Sequence, residues 1–170
     1  MEEARIADVQ ETQEAMDLAG KYLTFELGQE EYGIGILKIK EIIGMMPITA
    51  IPQTPAFVKG VINLRGKVIP VTDLRMKFGL ETADYNERTC IIVVEIDCGS
   101  RELVMGLVVD AVSEVANIRG GEIEKTPDFG SENRIGFIQG MAKIAGGVKI
   151  LLDIDRILTG DQLSCLEAMH

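Results

Sequence analysis

The sequence predicts an all-β fold in which a unit of about five short strands occurs twice. The strands are closely spaced and joined by tight turns without long helical crossovers, which favours small barrels over a parallel α/β sheet. An internal repeat supports this, because the layout of residues 60–79 recurs eighty positions later. The matched pairs are Gly60 and Gly140, Gly66 and Gly146, Val68 and Val148, Asp73 and Asp153, and Phe78 and Leu158.

Residues 60–79 predict a hairpin followed by a short helix. Arg65 and Gly66 separate two β-branched apolar runs, and the glycine supplies the positive φ that a tight turn requires. Asp73 is placed to cap the helix, and Gly79 suits the left-handed residue that ends one. An acid–base pair of Asp73 and Asp153 is the alternative, but their position between a strand and a helical turn favours capping.

The first half of the chain opens with another predicted hairpin. Residues 21–27 alternate as a half-buried strand does, turn at Gly28, and return over residues 31–34. Residues 36–43 form a segment that is too short to assign to a helix or a strand. Pro52 and Pro55 then predict a loop before the 60–79 hairpin.

The second half has the same plan. Residues 88–96 and 101–109 predict its opening hairpin, and residues 135–145 and 148–152 predict its closing one. At an offset of seventy-three, the matched pairs are Gly33 and Gly106, Ile34 and Leu107, Ile39 and Val112, Glu41 and Glu114, and Ile42 and Val115. The two offsets differ because the loops between the matched elements differ in length.

The predicted domain organisation is an acidic arm followed by one domain. The arm, residues 1–19, carries six acidic residues and one basic residue and has no aromatic side chain, so it is expected to lie outside the fold. Residues 20–170 are expected to form two intertwined barrels with short helices. One barrel is assigned approximately 20–85 plus a C-terminal segment, and the other 86–155. Residues 161–169 are predicted as a C-terminal helix.

The composition excludes several functions. A formal charge of −10 argues against binding a phosphate backbone, and no apolar run approaches the roughly eighteen residues of a membrane span. The N-terminus does not resemble a signal peptide, so a cytoplasmic location is expected. Cys90, Cys98 and Cys165 lack metal-site spacing and His170 is the only histidine, so no metal, cofactor or disulfide framework is expected.

Catalysis is not expected either. No serine or cysteine lies in a nucleophile-elbow context, and no internal histidine is available as a base.

Binding to a partner is suggested instead by the distribution of apolar residues. Residues 91–94 and 107–109 are apolar on both faces, whereas a barrel has only one inward face. The outward-facing apolar side chains are expected to be covered partly by the other barrel. Those that the other barrel leaves uncovered are expected to contact a partner. Ile39 and Val112 are either core residues or walls of a groove that takes an amphipathic helix. Arg65 is either a solvated turn residue or a contact residue.

Four segments taken together resemble the CheW family, the coupling proteins of bacterial chemotaxis. They are FELGQEEYGI at 25–34, PAFVKG at 55–60, NLRG at 63–66 and PVTDL at 70–74. The resemblance covers residues 20–165 and implies a pair of five-stranded SH3-like barrels. It also implies a non-enzymatic adaptor that links the cytoplasmic tips of methyl-accepting chemotaxis receptors to the histidine autokinase CheA and supports signalling arrays at the membrane.

The resemblance also implies binding residues. A receptor helical hairpin would lie in the groove between the barrels, against Ile39, Glu41, Arg65, Val109, Val112 and Val115. A kinase-facing or ring-forming side is implied around Val58, Gly60 and Thr89. Because any side chain at position 60 would obstruct a close approach of two backbones, Gly60→Asp is expected to weaken partner assembly with little loss of fold.

Other identities remain open at this stage. Within the family, the chain could be a fragment of the kinase regulatory domain or the coupling module of a CheV-like protein with a receiver domain. An N-terminal Met and the lack of kinase or receiver segments favour a stand-alone protein. A small β-barrel enzyme or ligand-binding protein is the rival from another class, and it would need a concave polar pocket with convergent ionisable groups.

Overall fold

The computed structural model describes residues 19–99, 101–124 and 136–158. Within them the chain is mostly β-strand, which confirms the predicted all-β class. The strands are β1 (Gly20–Leu27), β2 (Glu30–Gly35), β3 (Ile39–Gly44), β4 (Val58–Leu64), β5 (Lys67–Asp73), β6 (Cys90–Asp97), β7 (Glu102–Val109), β8 (Ala111–Ile118), β9 (Ile123–Glu124), β10 (Ile138–Ile144) and β11 (Gly147–Leu152). A short helix, α1 (Leu74–Lys77), follows β5, and 3₁₀ turns span Ile36–Lys38, Gly120–Glu122 and Ile154–Arg156.

The strands form two sheets. The first sheet has the order β8-β1-β2-β11-β10-β9, and the second has the order β3-β6-β7-β5-β4. Neighbouring strands are antiparallel except for β2 with β11 and β5 with β7, which are parallel. Apart from β9, the two orders correspond strand for strand under the sequence repeat.

The two closing hairpins repeat each other residue by residue. In β4–β5, Val58 pairs with Thr72 and Gly60 with Val71, with a register shift between the two pairs. In β10–β11 the same shift occurs eighty positions later, where Ile138 pairs with Leu152 and Gly140 with Leu151.

The turns and caps of these hairpins also repeat. Arg65 and Gly66 have φ of 52° and 84°, and Ala145 and Gly146 have φ of 50° and 79°, the two positive values that a tight hairpin turn requires. Asp73 accepts a hydrogen bond from the backbone N–H of Arg75, and Asp153 accepts one from Asp155. Both aspartates therefore cap a helical turn, as predicted, rather than forming an acid–base pair.

The two halves of the chain exchange strands, whereas the predicted division assigned one barrel approximately 20–85 plus a C-terminal segment and the other 86–155. The first sheet contains β1 and β2 from the first half with β8 to β11 from the second. The second sheet contains β3, β4 and β5 from the first half with β6 and β7 from the second. The chain leaves the first sheet at residues 36–38, because β3 hydrogen-bonds to β6 and not to the β1–β2 hairpin. It returns at Asp110, which separates β7 from β8.

Three apolar clusters hold this arrangement together. A second-sheet core contains Ile62, Ile69, Val71, Ile91, Val93, Val104 and Val108, and a first-sheet core contains Tyr22, Ile118, Ile123, Ala142 and Leu151. The largest, which we term the central cluster, draws on both sheets. Its members are Leu23, Phe25, Leu27, Tyr32, Ile34, Val58, Leu74, Ile92, Val94, Ile96, Leu103, Met105, Leu107, Val109, Leu152, Ile154, Ile157 and Leu158.

The central cluster accounts for the strands that are apolar on both faces. On β6, Ile91 and Val93 belong to the second-sheet core, while Ile92 and Val94 belong to the central cluster. Every residue from 103 to 109 on β7 is buried. The expectation that these two strands keep an apolar excess for a partner is therefore wrong, because the chain itself covers both of their faces.

Gly60 has a structural role that the sequence did not reveal. It is buried with φ of 142°, and a Cβ atom built there would lie 2.0 Å from the carbonyl oxygen of Thr49. Thr49 approaches this closely because it bridges to Val61 through two backbone hydrogen bonds of 2.9 Å. The expectation that Gly60→Asp leaves the fold nearly intact is therefore wrong.

Some predictions fall on residues that the structure does not describe. They are the acidic arm up to residue 18, the helix predicted over 161–169, and Cys165 and His170. Among the described residues, no helix has the length and apolar character needed to cross a membrane.

We predict that Gly60→Ala lowers the free energy of unfolding by about 3 kcal/mol, because the methyl group meets the Thr49 carbonyl and alanine disfavours a positive φ. Urea unfolding followed by circular dichroism measures the loss. Gly44→Ala is the matched control, since Gly44 also lies in the second sheet but has open space around its Cβ position. Equal stabilities of the two variants would contradict this account.

Candidate functional site

The candidate site lies on β3 and β8, the strands that end the second and first sheets. Both are edge strands, and they correspond in the repeat. Ile42 on β3 is 43% exposed and Val115 on β8 is 54% exposed, although both are large apolar residues. Ile39 and Val112, three positions earlier, are partly buried and pack against the central cluster. Each edge strand thus has one apolar side chain anchored in the shared core and another presented to solvent.

A β-bulge shapes both edge strands in the same way. Ile39 pairs with Val94 and Glu41 with Val93, so Lys40 is the extra residue on β3. On β8 the extra residue is Ser113, between the pairs that Val112 and Glu114 form with β1. A bulge at a sheet edge increases the local twist and interrupts the hydrogen-bonding pattern, which re-aims the neighbouring side chains.

A charged pair lies beside β3. Arg65 donates two hydrogen bonds to Glu41, from Nη1 to Oε1 at 2.7 Å and from Nη2 to Oε2 at 2.8 Å. The pair joins the strand at one end of the second sheet to the turn of the hairpin at its other end, so that this sheet curls around its own core. The hydrogen bonds from Arg65 hold the pKa of the Glu41 carboxyl below its usual value.

The matching position on β8 has a different charge pattern. Ala145 replaces Arg65 in the repeat, and Glu114 instead lies 3.7 Å from Lys149, which is closer to Glu31 at 2.9 Å. The two edge strands therefore match in their apolar residues but differ in the charges beside them. Ile42 and Glu114 were not among the predicted site residues, although the seventy-three-residue offset pairs them with two residues that were.

The structure supports some predicted receptor-groove residues as surface residues and not others. It brings Glu41 and Arg65 into direct contact, leaves Val115 exposed, and places Ile39 and Val112 at matching, partly buried positions. Val109 is only 1% exposed and belongs to the central cluster. Its assignment to a groove wall is wrong, because its side chain is enclosed between the two sheets.

The residues predicted for the kinase-facing side are all buried. Val58 belongs to the central cluster, and Gly60 lies against Thr49. Thr89 accepts a hydrogen bond from the backbone N–H of Asn86 at 2.9 Å. None of the three presents a side chain to solvent, so direct side-chain contact with a partner is not supported for them.

A polar cavity of about 210 Å³ tests the rival prediction of an enzyme or ligand-binding protein. Six of its seven ionisable side chains are paired with one another: Arg75 with Asp110, Arg88 with Glu26, and the Tyr85 hydroxyl with Asp73. Burial and the hydrogen bond to Asp73 raise the pKa of Tyr85, so this phenol is no base at neutral pH. No group of metal-ligating side chains occurs in the described part of the chain.

Comparison with known proteins decides the family. The family model of the CheW-like domain matches residues 21–162 of this chain. The chain belongs to the CheW family. It is 39% identical over 147 residues to the chemotaxis protein CheW of Klebsiella aerogenes, covering 86% of each chain. It is 34% identical over 155 residues to the CheW of Rhizobium meliloti, covering 86% of this chain and 97% of that one.

A solved structure confirms the fold. The scaffolding protein TtCheW from Thermoanaerobacter tengcongensis superimposes with a TM-score of 0.75 at 36% identity, covering 85% of this chain and 96% of that one. As a member of the CheW family, the chain is a chemotaxis scaffold and not an enzyme. The resemblance inferred from the four sequence segments is confirmed.

We predict that Arg65→Ala raises the pKa of the Glu41 carboxyl towards its ordinary value, because the two hydrogen bonds that stabilise the carboxylate are lost. Titration of the side-chain carboxyl followed by ¹³C NMR measures this pKa. Since the pKa is lowered in the folded protein, any stability from the pair is present above the unfolded-state pKa and declines as the pH falls through the folded-state value. An unchanged Glu41 pKa in Arg65→Ala would show that the pair does not persist in solution.

Proposed function

We propose that this protein couples methyl-accepting chemotaxis receptors to the histidine autokinase CheA. Membership of the CheW family supports a scaffold in chemotaxis, and the two matching edge strands support a surface for helical partners. The observation that carries the proposal is the repeat-related pair Ile42 and Val115, large apolar residues exposed at the same position of two bulged edge strands.

The receptor tip, a helical hairpin, is the proposed partner of these strands. Burial of exposed isoleucine and valine side chains against a helix supplies affinity, at about 25 cal/mol per Å² of apolar surface. Charges around such a contact contribute mainly to orientation and partner choice. Because Arg65 lies next to β3 and has only an alanine counterpart near β8, the two edges present different charges to the hairpin.

The receptor site must lie on the outside of the edge strands and not deep between the sheets. The central cluster fills the space between the sheets with side chains of both. Ile39 and Val112 form the partly buried floor of the proposed surface, while Ile42 and Val115 project from it.

The kinase contact is proposed for the end of the second sheet where β4 begins. Here the buried Thr89 fixes the backbone that carries the exposed Asn86 and Arg88. The buried Val58 and Gly60 fix the start of β4, through the central cluster and the contact with Thr49. With receptor and kinase bound on different surfaces, the protein would be cytoplasmic and recruited to membrane-associated arrays through the receptors.

Reconstitution tests the proposal. Purified protein is mixed with receptor cytoplasmic fragments and CheA, and autophosphorylation of the kinase is followed with and without it. We expect the protein to bind both partners and to be required for receptor control of kinase activity. Failure to bind either partner would contradict the proposal.

We predict that Val115→Lys weakens binding to the receptor fragment by about tenfold, because about 1.4 kcal/mol of apolar contact is lost when a charge is introduced. Isothermal titration calorimetry measures the affinity, and Ile42→Lys is expected to act in the same direction. Leu80→Lys is the control, since Leu80 is also an exposed apolar residue, at 37%, but follows α1 and lies on neither β3 nor β8. Equal losses for Val115→Lys and Leu80→Lys would contradict the assignment of the surface.

A further inference from the structure

Among the residues that the structure describes, the chain crosses between the two sheets twice, and each crossing leads directly into an edge strand of the proposed receptor surface. Residues 36–38 connect β2 to β3, and Asp110 connects β7 to β8. The position of each edge strand therefore depends on how its crossing is held.

An ion pair with two hydrogen bonds holds each crossing. Lys38 Nζ donates to Oδ1 and Oδ2 of Asp155, at 2.9 and 2.7 Å. Arg75 donates from Nε and Nη2 to Oδ1 and Oδ2 of Asp110, both at 2.7 Å. We call these the Lys38–Asp155 clamp and the Arg75–Asp110 clamp.

Each clamp also binds the opposite sheet. Asp110 accepts a hydrogen bond at 2.8 Å from the backbone N–H of Gly28, in the β1–β2 turn. Asp155 accepts one at 2.9 Å from the backbone N–H of Asp97, at the end of β6. Each of the two carboxylates, Asp110 and Asp155, thus links three parts of the chain. These are a crossing, the helical turn that follows β5 or β11, and the β1–β2 turn or the end of β6. The two clamps occupy corresponding places in the repeat, with acid and base exchanged, since Arg75 matches Asp155.

The charges of both clamps are stabilised by their partners. Burial alone would raise the pKa of Asp110, but hydrogen bonds from Arg75 and from the Gly28 N–H outweigh it and lower that pKa. The hydrogen bond to Asp155 raises the pKa of Lys38. The Asp110 carboxyl and the Lys38 ammonium are therefore charged at neutral pH, and charge-assisted hydrogen bonds of this kind are stronger than neutral ones.

We propose that the two clamps are positioning elements that set β3 and β8 in the relative arrangement required for receptor binding. This inference rests on the proposed receptor function. None of the four charged residues needs to contact the receptor, because each clamp acts through the strand that follows its crossing.

Binding to two partners separates positioning from general stability. In Asp110→Asn, we expect the dissociation constant for the receptor fragment to rise about tenfold, while that for the CheA regulatory domain changes by less than about twofold. Lys38→Met removes the charge of the other clamp and is expected to have the same selective effect through β3. Lys38→Arg keeps an ion pair with Asp155 and is expected to retain receptor affinity.

Two controls accompany these variants. Glu26→Gln removes a carboxylate from the same polar cavity, where it accepts a 3.2 Å hydrogen bond from Arg88. The contact of Glu26 with the crossing is made by its backbone carbonyl, which accepts from the Asp110 N–H and is unchanged by this substitution. Ile62→Val reduces the second-sheet core and lowers stability without touching a clamp. Amide hydrogen exchange in Asp110→Asn is expected to rise on β8 and to stay unchanged on the β4–β5 hairpin.

The outcomes are distinguishable. Receptor affinity that falls in both clamp-breaking variants and in neither control supports the proposal. Unchanged receptor affinity in Asp110→Asn and Lys38→Met, with Val115→Lys still weakened, would overturn the clamps and leave the proposed function standing. Equal losses of receptor and kinase affinity would assign the clamps to stability alone. Failure of the unaltered protein to bind the receptor fragment would reject the proposed function and this inference together.

Discussion

Packing of the two sheets against each other through the central cluster is the interaction on which the rest of the structure depends. Among the described residues, this cluster contains eighteen buried side chains, against seven in the second-sheet core and five in the first-sheet core. A fully buried aliphatic or aromatic side chain contributes about 1.5–3 kcal/mol, and domains of about 60 residues bury little apolar surface by themselves. Neither sheet buries enough side chains in its own core, so each depends on packing against the other for its stability.

This shared core also constrains where a partner can bind. Because the faces of β6 and β7 are covered by the chain itself, these two strands leave no apolar surface for a partner, whereas Ile42 and Val115 are exposed on the end strands β3 and β8. Edge strands with exposed apolar residues risk unwanted strand pairing, and bulges and charges at the edge reduce that risk. Two such features lie at these edges, namely the bulges at Lys40 and Ser113 and the Glu41–Arg65 pair. The features that shape the proposed surface therefore also reduce the risk of unwanted strand pairing.

Much of the fold could be predicted from sequence because local signals were strong and repeated. The turn at Arg65 and Gly66 and the caps at Asp73 and Asp153 depend on neighbours within a few residues, and each appears twice. The exchange of strands between the halves left no such signal. Hairpins look the same in sequence whichever sheet they join, and the choice is made by contacts such as β5 with β7 and β11 with β2, which bring distant residues together.

The candidate site was predictable in part for the same reason. The repeat paired Ile39 with Val112 as possible groove residues, the resemblance to the CheW family added Glu41 and Val115, and a turn arginine indicated an exposed charge at position 65. Spacing could not show that Val109 faces inwards, because its neighbours on β7 are apolar on both sides. Nor could it show that the Gly60 backbone meets Thr49, since that contact joins a loop to a strand eleven residues later. The ion pair between Asp110 and Arg75 could not be predicted either, because the two residues lie thirty-five positions apart in the sequence.

The reciprocal exchange of β-strands has a consequence for the origin of this architecture. If the exposed segment between α1 and β6 were absent, two separate polypeptides could make the same pairings, each completing the sheet begun by the other. That is the arrangement of a symmetric dimer with swapped elements. A single ancestral gene of half this length, duplicated and fused, would have converted a concentration-dependent association into an intramolecular one. In a fused chain the two copies can differ, as they do here with an arginine at position 65 and an alanine at the matching position 145.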